Sequence, residues 1–309
     1  MSRDCPRLRE VPPTSVALVA LAGDLLRQGH THAALEEVNR ALRRNPELAA
    51  AWQMKGILQS QQGQLDEAEA SHTVATRLDP KDSAAWLLLA NARQALDRLD
   101  GALEAARRAV RLNRHDAQAL LLLGELLAST GRNKKAMTLY RRILSRDPNN
   151  APAHYEISRL LAEVGNTDEA VHMIDRALRL RPGVAGYHIV AGDLARQQGR
   201  VDEAIAEYRI AVDLAPTDSV SIARLGIMLY EGNRRVEAMT ILNKAVLLSP
   251  RQSYCYRMLA RIYQEEGRKQ EAEEILRVAQ SIEPDRDPDG DWTLFVCQSN
   301  RKMPDGAGH

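Results

Sequence analysis

The sequence predicts an all-α protein of the solenoid class, a linear array of short antiparallel helix pairs. Three observations carry that expectation. Alanine recurs every 34 residues, at Ala34, Ala68, Ala102, Ala136, Ala170, Ala204, Ala238 and Ala272, with no insertion or deletion. Further columns keep the same step, and a fixed period of this length marks a repeat architecture. The composition also fits, since 44% of the chain is hydrophobic but only 4% aromatic, with a single Phe. A core so rich in Ala and Leu suits helices packed closely on one another.

Each column has a physical reading. Seven residues after the repeated alanine stand Ala41, Ala75, Ala109, Ile143, Ala177, Ala211, Ala245 and Ala279. Twelve residues before it is a small side chain: Ala22, Gly56, Ala90, Gly124, Ser158, Gly192, Gly226 or Ala260. Small residues on two helices let the backbones approach, so each repeat reads as a helical hairpin. Between the two helices lies Gly29, Gly63, Gly131, Gly165, Gly199 or Gly267, with Asp97 and Asn233 in the other two slots. These residue types tolerate the left-handed conformation that ends a helix. Pro46, Pro80, Pro148, Pro182, Pro216, Pro250 and Pro284 close the second helix, and only Arg114 breaks that series. Asp82 and Asn150, two residues after their prolines, are placed to cap the next helix.

These columns, with Trp52 and Trp86 near the start of a first helix, resemble the tetratricopeptide repeat (TPR) closely. Eight contiguous repeats follow, at 15–48, 49–82, 83–116, 117–150, 151–184, 185–218, 219–252 and 253–286, with a head at 1–14 and a tail at 287–309. The resemblance implies a right-handed superhelix whose concave face binds extended peptides or partner helices. In such an array each repeat buries its apolar stripe only against its neighbours, so the terminal repeat must be adapted to water. Gln280 and the charged run from Arg268 to Glu274 read as that solvated end.

Charge and flanks exclude other classes. Lys plus Arg number 42 against 41 Asp plus Glu, a formal charge of +1, which argues against nucleic-acid or polybasic membrane binding. No apolar run approaches a membrane span. Cys5, Cys255 and Cys297 are odd in number and widely spaced, so a reducing compartment without disulfides is expected. The run Val16 to Leu21 is too short, and Asp4 and Glu10 too acidic, for a cleaved leader. Cytoplasmic localisation is therefore expected, with a periplasmic or envelope-associated site as the alternative. In the tail, Asp285 to Asp291 matches half of a calcium-loop pattern, but Val296 stands where the bidentate Glu belongs, so the segment reads as an acidic linker. Trp292 to Cys297 reads as an apolar strip that caps the last helix, fills the groove or pairs chains.

Nothing in the sequence nominates chemistry. It has no phosphate loop, nucleophile elbow or paired-cysteine motif, and its inter-helix loops are minimal. His30 and His32 lack ligand partners, while His154 and His188 occupy the Trp slot and read as packed, hydrogen-bonded side chains. No catalysis, metal or cofactor is expected. Arrays of this family precede catalytic domains in some glycosyltransferases and sulfotransferases, and this sequence ends where such a domain would begin.

The family's groove positions, carried onto this chain, nominate Leu87, Asn91, Leu121, Glu125, Tyr155, Arg159, Ile189, Asp193, Arg196, Tyr230, Arg257 and Arg261 as partner-binding residues. Leu87, Leu121, Tyr155 and Ile189 form an apolar ladder, which calls for an apolar or amphipathic partner segment. Arg257 and Arg261, with Arg224 nearby, form a basic cluster suited to acidic residues on that partner. The chaperone carboxylate clamp and the sugar-transferase asparagine ladder are both missing. The expected function is a non-catalytic scaffold or adaptor that holds a protein or peptide in its groove. The alternative is an accessory subunit of an envelope or polysaccharide assembly or secretion complex.

Overall fold

The computed structural model describes residues 14–283. Among the described residues the chain is all-α, with sixteen helices and no strand. They are α1 (Ser15–Arg27), α2 (Thr31–Arg44), α3 (Ala49–Gln61), α4 (Leu65–Leu78), α5 (Ser83–Ala95), α6 (Leu99–Leu112), α7 (Ala117–Ser129) and α8 (Asn133–Leu144). There follow α9 (Ala151–Glu163), α10 (Thr167–Leu180), α11 (Ala185–Gln197), α12 (Val201–Leu214), α13 (Ser219–Glu231), α14 (Arg235–Leu248), α15 (Ser253–Glu265) and α16 (Lys269–Ile282). Odd-numbered helices start 34 residues apart, from Ser15 to Ser253. The chain divides into an N-terminal body ending at Leu139 and a C-terminal body beginning at Tyr140.

Local sequence dictates each boundary. At the end of α1 the Gly29 amide donates to the Leu26 carbonyl (3.0 Å) and the His30 amide to Leu25 (2.9 Å), with Gly29 at φ 83°. This paired closure needs one left-handed residue. Asp97 supplies it after α5 at φ 58°, where its amide meets Gln94 (3.0 Å) and the Arg98 amide meets Arg93 (2.8 Å). Second helices end differently. Asn45 and Asp79 adopt extended backbone before Pro46 and Pro80, as residues ahead of proline must. Asn113 has the same geometry (φ −128°, ψ 90°) before Arg114, so the missing proline leaves the turn unchanged. Asp82 accepts from the Ala84 amide (2.8 Å) and Asn150 from Ala153 (3.1 Å), the caps expected of them.

The core is a seam of small residues. All eight period-defining alanines are 0% exposed. In three pairs a large side chain fills the place of a glycine's absent one. A Cβ on Gly56 would fall 2.4 Å from the His72 ring, on Gly192 2.7 Å from the Tyr208 ring, and on Gly226 2.7 Å from Leu242. Where the first helix carries Ala22 instead, the facing column holds the smaller Val38, and at Ala90 it holds Ala106. Large and small thus interdigitate at close-packed density.

The slot near the start of the first helix also repeats one interaction. Trp52 Nε1 donates to the Pro46 carbonyl (2.8 Å) and Trp86 Nε1 to the Pro80 carbonyl (3.1 Å). His154 Nε2 lies 2.9 Å from the Pro148 carbonyl and His188 Nε2 lies 2.8 Å from that of Pro182. Histidine replaces tryptophan there because its ring nitrogen reaches the same carbonyl, and both histidines are buried as expected.

Candidate functional site

In the N-terminal body, a recess of about 340 Å³ opens between α5 and α7. Leu87, Asn91 and Gln94 come from α5, and Gln118, Leu121 and Glu125 from α7. All four nominated residues of this body, Leu87, Asn91, Leu121 and Glu125, therefore line one surface depression. Three leucines, Leu87, Leu121 and the buried Leu122, line it together with amides and a carboxylate, a combination that suits an amphipathic segment. Of the two helices, α5 is tied by charge to α4: Glu69 of α4 accepts from Arg93 Nε (2.8 Å) and also meets Arg98, which in turn reaches Asp66 (2.7 Å).

In the C-terminal body, a smaller recess of about 140 Å³ lies between α9 and α11, lined by Arg159, Ala162, Glu163, Val190, Asp193 and Gln197. Tyr155 is half-buried beside it, its ring centroid 4.9 Å from that of Tyr187. Burial pushes the Tyr155 phenol up to about 12, against the opposing pull of Arg159, whose guanidinium lies 5.9 Å from the ring centroid. Burial by itself would lower the Arg159 pKa, but Glu156, 3.0 Å away, raises it and keeps the guanidinium charged. Ile189 and Arg196 are half-buried on α11.

Asp193 does more than line the recess. Tyr208 Oη donates to it at 2.6 Å, and it pairs with Arg224, whose residue is 2% exposed. Burial first, and then the Asp193 charge, hold the Tyr208 hydroxyl well above its ordinary range. The triad joins α11, α12 and α13 through their interior. One signal pointed to Arg224 alone: it and Glu156 are the charged residues in a series otherwise reading Ala20, Met54, Leu88, Leu122, Val190 and Met258.

The basic cluster expected near the end of the array is not a surface cluster. Arg224 is buried against Asp193, and Arg257 is 3% exposed, its guanidinium donating to the Glu283 carbonyl at 3.1 Å. Both occupy interior positions because their long side chains run between helices instead of outward. Arg261 is exposed, lies 3.7 Å from Glu265 and stacks 5.5 Å above the Tyr230 ring, whose hydroxyl also meets Glu265. The calcium-like segment at 285–291, the strip Trp292 to Cys297, and residues 1–13 lie outside the described residues. Among the described residues no helix is long and apolar enough to cross a membrane.

Comparison with known proteins places this architecture. Residues 6–191, more than half of the chain, match the profile of the cilia and flagella-associated protein 70 C-terminal domain. Residues 185–218 and 254–286 match the tetratricopeptide repeat profile. No curated protein sequence is significantly similar. Among solved structures, a tetratricopeptide repeat protein from Parabacteroides merdae superposes with TM-score 0.64 at 20% identity, over 86% of this chain and 98% of that one. A chain of the APC/C hetero-tetramer Cut9-Hcn1 gives 0.68 at 14% identity, over 91% of this chain and 55% of that one. PilF of Pseudomonas aeruginosa gives 0.58 at 17% identity, over 65% of this chain and 92% of that one. At these identities the likeness is one of fold. From the profile matches and the helix pairs stepped by 34 residues, the chain belongs to the tetratricopeptide-repeat family, its larger match being to the C-terminal domain of cilia and flagella-associated protein 70.

Proposed function

We propose that the chain is a non-catalytic adaptor that holds a partner polypeptide against the faces formed by its first helices. The observation that carries this reading is the pair of first-helix recesses, one in each body, that combine apolar and polar lining residues. The sixteen helices are joined by minimal turns, so the chain offers rigid faces and little loop surface on which to assemble a reacting constellation. Affinity then comes from a few anchors. Leu121 and Tyr155, like Leu87, are large apolar side chains that remain partly exposed at or beside the recesses. The partner segment is amphipathic, with apolar residues meeting Leu87 and Leu121 and polar ones meeting Asn91 and Glu125.

The test is affinity capture on the purified chain from its own cells, with Leu121→Asp and Tyr155→Ala run in parallel. Both variants are expected to lose the same partner while far-UV circular dichroism stays unchanged. Retention of the partner by both variants would refute the assignment of these faces. Loss of helicity would place the two residues in the core instead.

A further inference from the structure

A third recess, of about 320 Å³, lies in the N-terminal body between α3, α4 and α5. Its walls are largely apolar, with Ile57, Leu65, Leu88 and Ala95 among them, and Ser60, Gln61, His72 and Asn91 are its polar residues. His72 is 2% exposed and packs into the space left by the absent side chain of Gly56. Among the described residues its Nδ1 meets no hydrogen-bond partner.

The same column holds Val38, Ala106, Ile174, Leu242 and Leu276, which need no partner, and the polar rings of Tyr140 and Tyr208, the latter bonded to Asp193. Tyr208 packs on Gly192 and bonds to Asp193, the next residue; His72 packs on Gly56, and the next residue is Ile57. The fold therefore buries a polar ring and supplies an aliphatic side chain where the carboxylate would stand. Buried polar groups in folded proteins mostly find partners, so an orphan lining a cavity points to a ligand that completes it.

We propose that this recess is a subsite for a phenol, whose ring lies against Ile57, Leu65 and Leu88 and whose hydroxyl hydrogen-bonds the His72 imidazole. Its volume sits at the low end of ligand pockets, about 300–1,000 Å³, and so admits a single ring. Burial holds the His72 pKa down to about 4, so at neutral pH the ring is uncharged, with one donor and one acceptor nitrogen. A phenol hydroxyl both donates and accepts, and it satisfies either tautomer. A carboxylate or ammonium would lose its hydration without meeting a counter-charge. The phenol is a tyrosine of the bound segment, which rests on the adaptor reading above, or a free phenolic molecule.

Para-cresol and toluene, titrated into the full chain, separate the hydroxyl from the ring. The readout is the His72 Cε1–H resonance by NMR. Cresol is expected to move that resonance saturably, and toluene to bind roughly 10-fold more weakly for want of the hydrogen bond. Ala95→Trp, which fills the mouth from a solvent-exposed position, should abolish both, and His72→Phe should erase the cresol preference. Competition with cresol by a Gly-Gly-Tyr-Gly-Gly peptide, and not by its Phe counterpart, assigns the site to a partner tyrosine. Cresol binding without peptide competition assigns it to a free phenol. An unmoved His72 resonance, or equal affinity for toluene and cresol, overturns the proposal. These two readouts use the native chain, so they decide the matter even if His72→Phe fails to fold. They also need no partner, so they stand apart from the capture experiment.

Discussion

The matched pair Gly226 and Leu242 gives the packing account its sharpest test. A Cβ at Gly226 would lie 2.7 Å from both Cγ and Cδ2 of Leu242 and 3.5 Å from Ile241. Leu242 is fully buried in the core cluster that α13 and α14 share. Gly226→Ala gains about 1 kcal/mol of helix propensity. Against this, forcing a methyl into a packed core costs about 1–3 kcal/mol. The balance is a net destabilisation of roughly 1 kcal/mol. Leu242→Val alone removes a methylene and costs about 1 kcal/mol as well. Together the two changes recreate the Ala22 and Val38 pairing that the chain already uses, so the double variant should approach the parent in stability. Repeat arrays do not unfold as one unit, so urea midpoints need native-state hydrogen exchange at α13 and α14 beside them. If the two single effects add within about 0.5 kcal/mol, the volume-matching argument is wrong.

Other expectations follow from the same contacts. His188→Phe removes the ring nitrogens that meet the Pro182 carbonyl and Glu207 (2.7 Å), and should cost about 1–3 kcal/mol; His188→Trp keeps the carbonyl bond and should cost less, as urea midpoints will show. Asp193→Asn removes the charge facing buried Arg224 and should cost about 3 kcal/mol, the low end for breaking one side of a buried ion pair; equal stability in chemical denaturation would argue against the interior triad. His72 gives a pH signature. Its folded-state pKa is depressed from 6.5 to about 4, so the unfolded chain binds a proton that the folded chain refuses. Stability is therefore full above pH 6.5 and falls by about 3 kcal/mol as pH drops to about 4. His72→Phe should remove that component from the pH dependence of unfolding; an unchanged profile would assign it to other groups.

Much of this fold is readable along the chain because a repeat states its rules eight times. Gly29 and Asp97 share a column for one reason, the left-handed residue that both pairs of closing hydrogen bonds demand. The proline column reads as well, and Arg114 shows that the turn outlasts the loss of the residue that usually marks it. The recess between α5 and α7 was legible for the same reason, since it lies at fixed positions on first helices. Long side chains were harder. Arg224 and Arg257 look like surface cations in a linear sequence, and only tertiary packing sends them inward, to Asp193 and to the Glu283 carbonyl. His72 escaped notice because its meaning depends on Gly56 sixteen residues earlier and on Ile57 beside it.

Site-directed photo-crosslinking asks directly whether the first-helix faces hold a partner. A benzoylphenylalanine at Gln118 or Ala162 reports on the two recesses, and one at Glu104 or Lys244 reports on exposed second-helix surface. The adaptor account predicts crosslinks to one partner segment from positions 118 and 162, diminished by Leu121→Asp, and none from 104 or 244. Crosslinks concentrated at 104 and 244, with 118 and 162 silent, would contradict it.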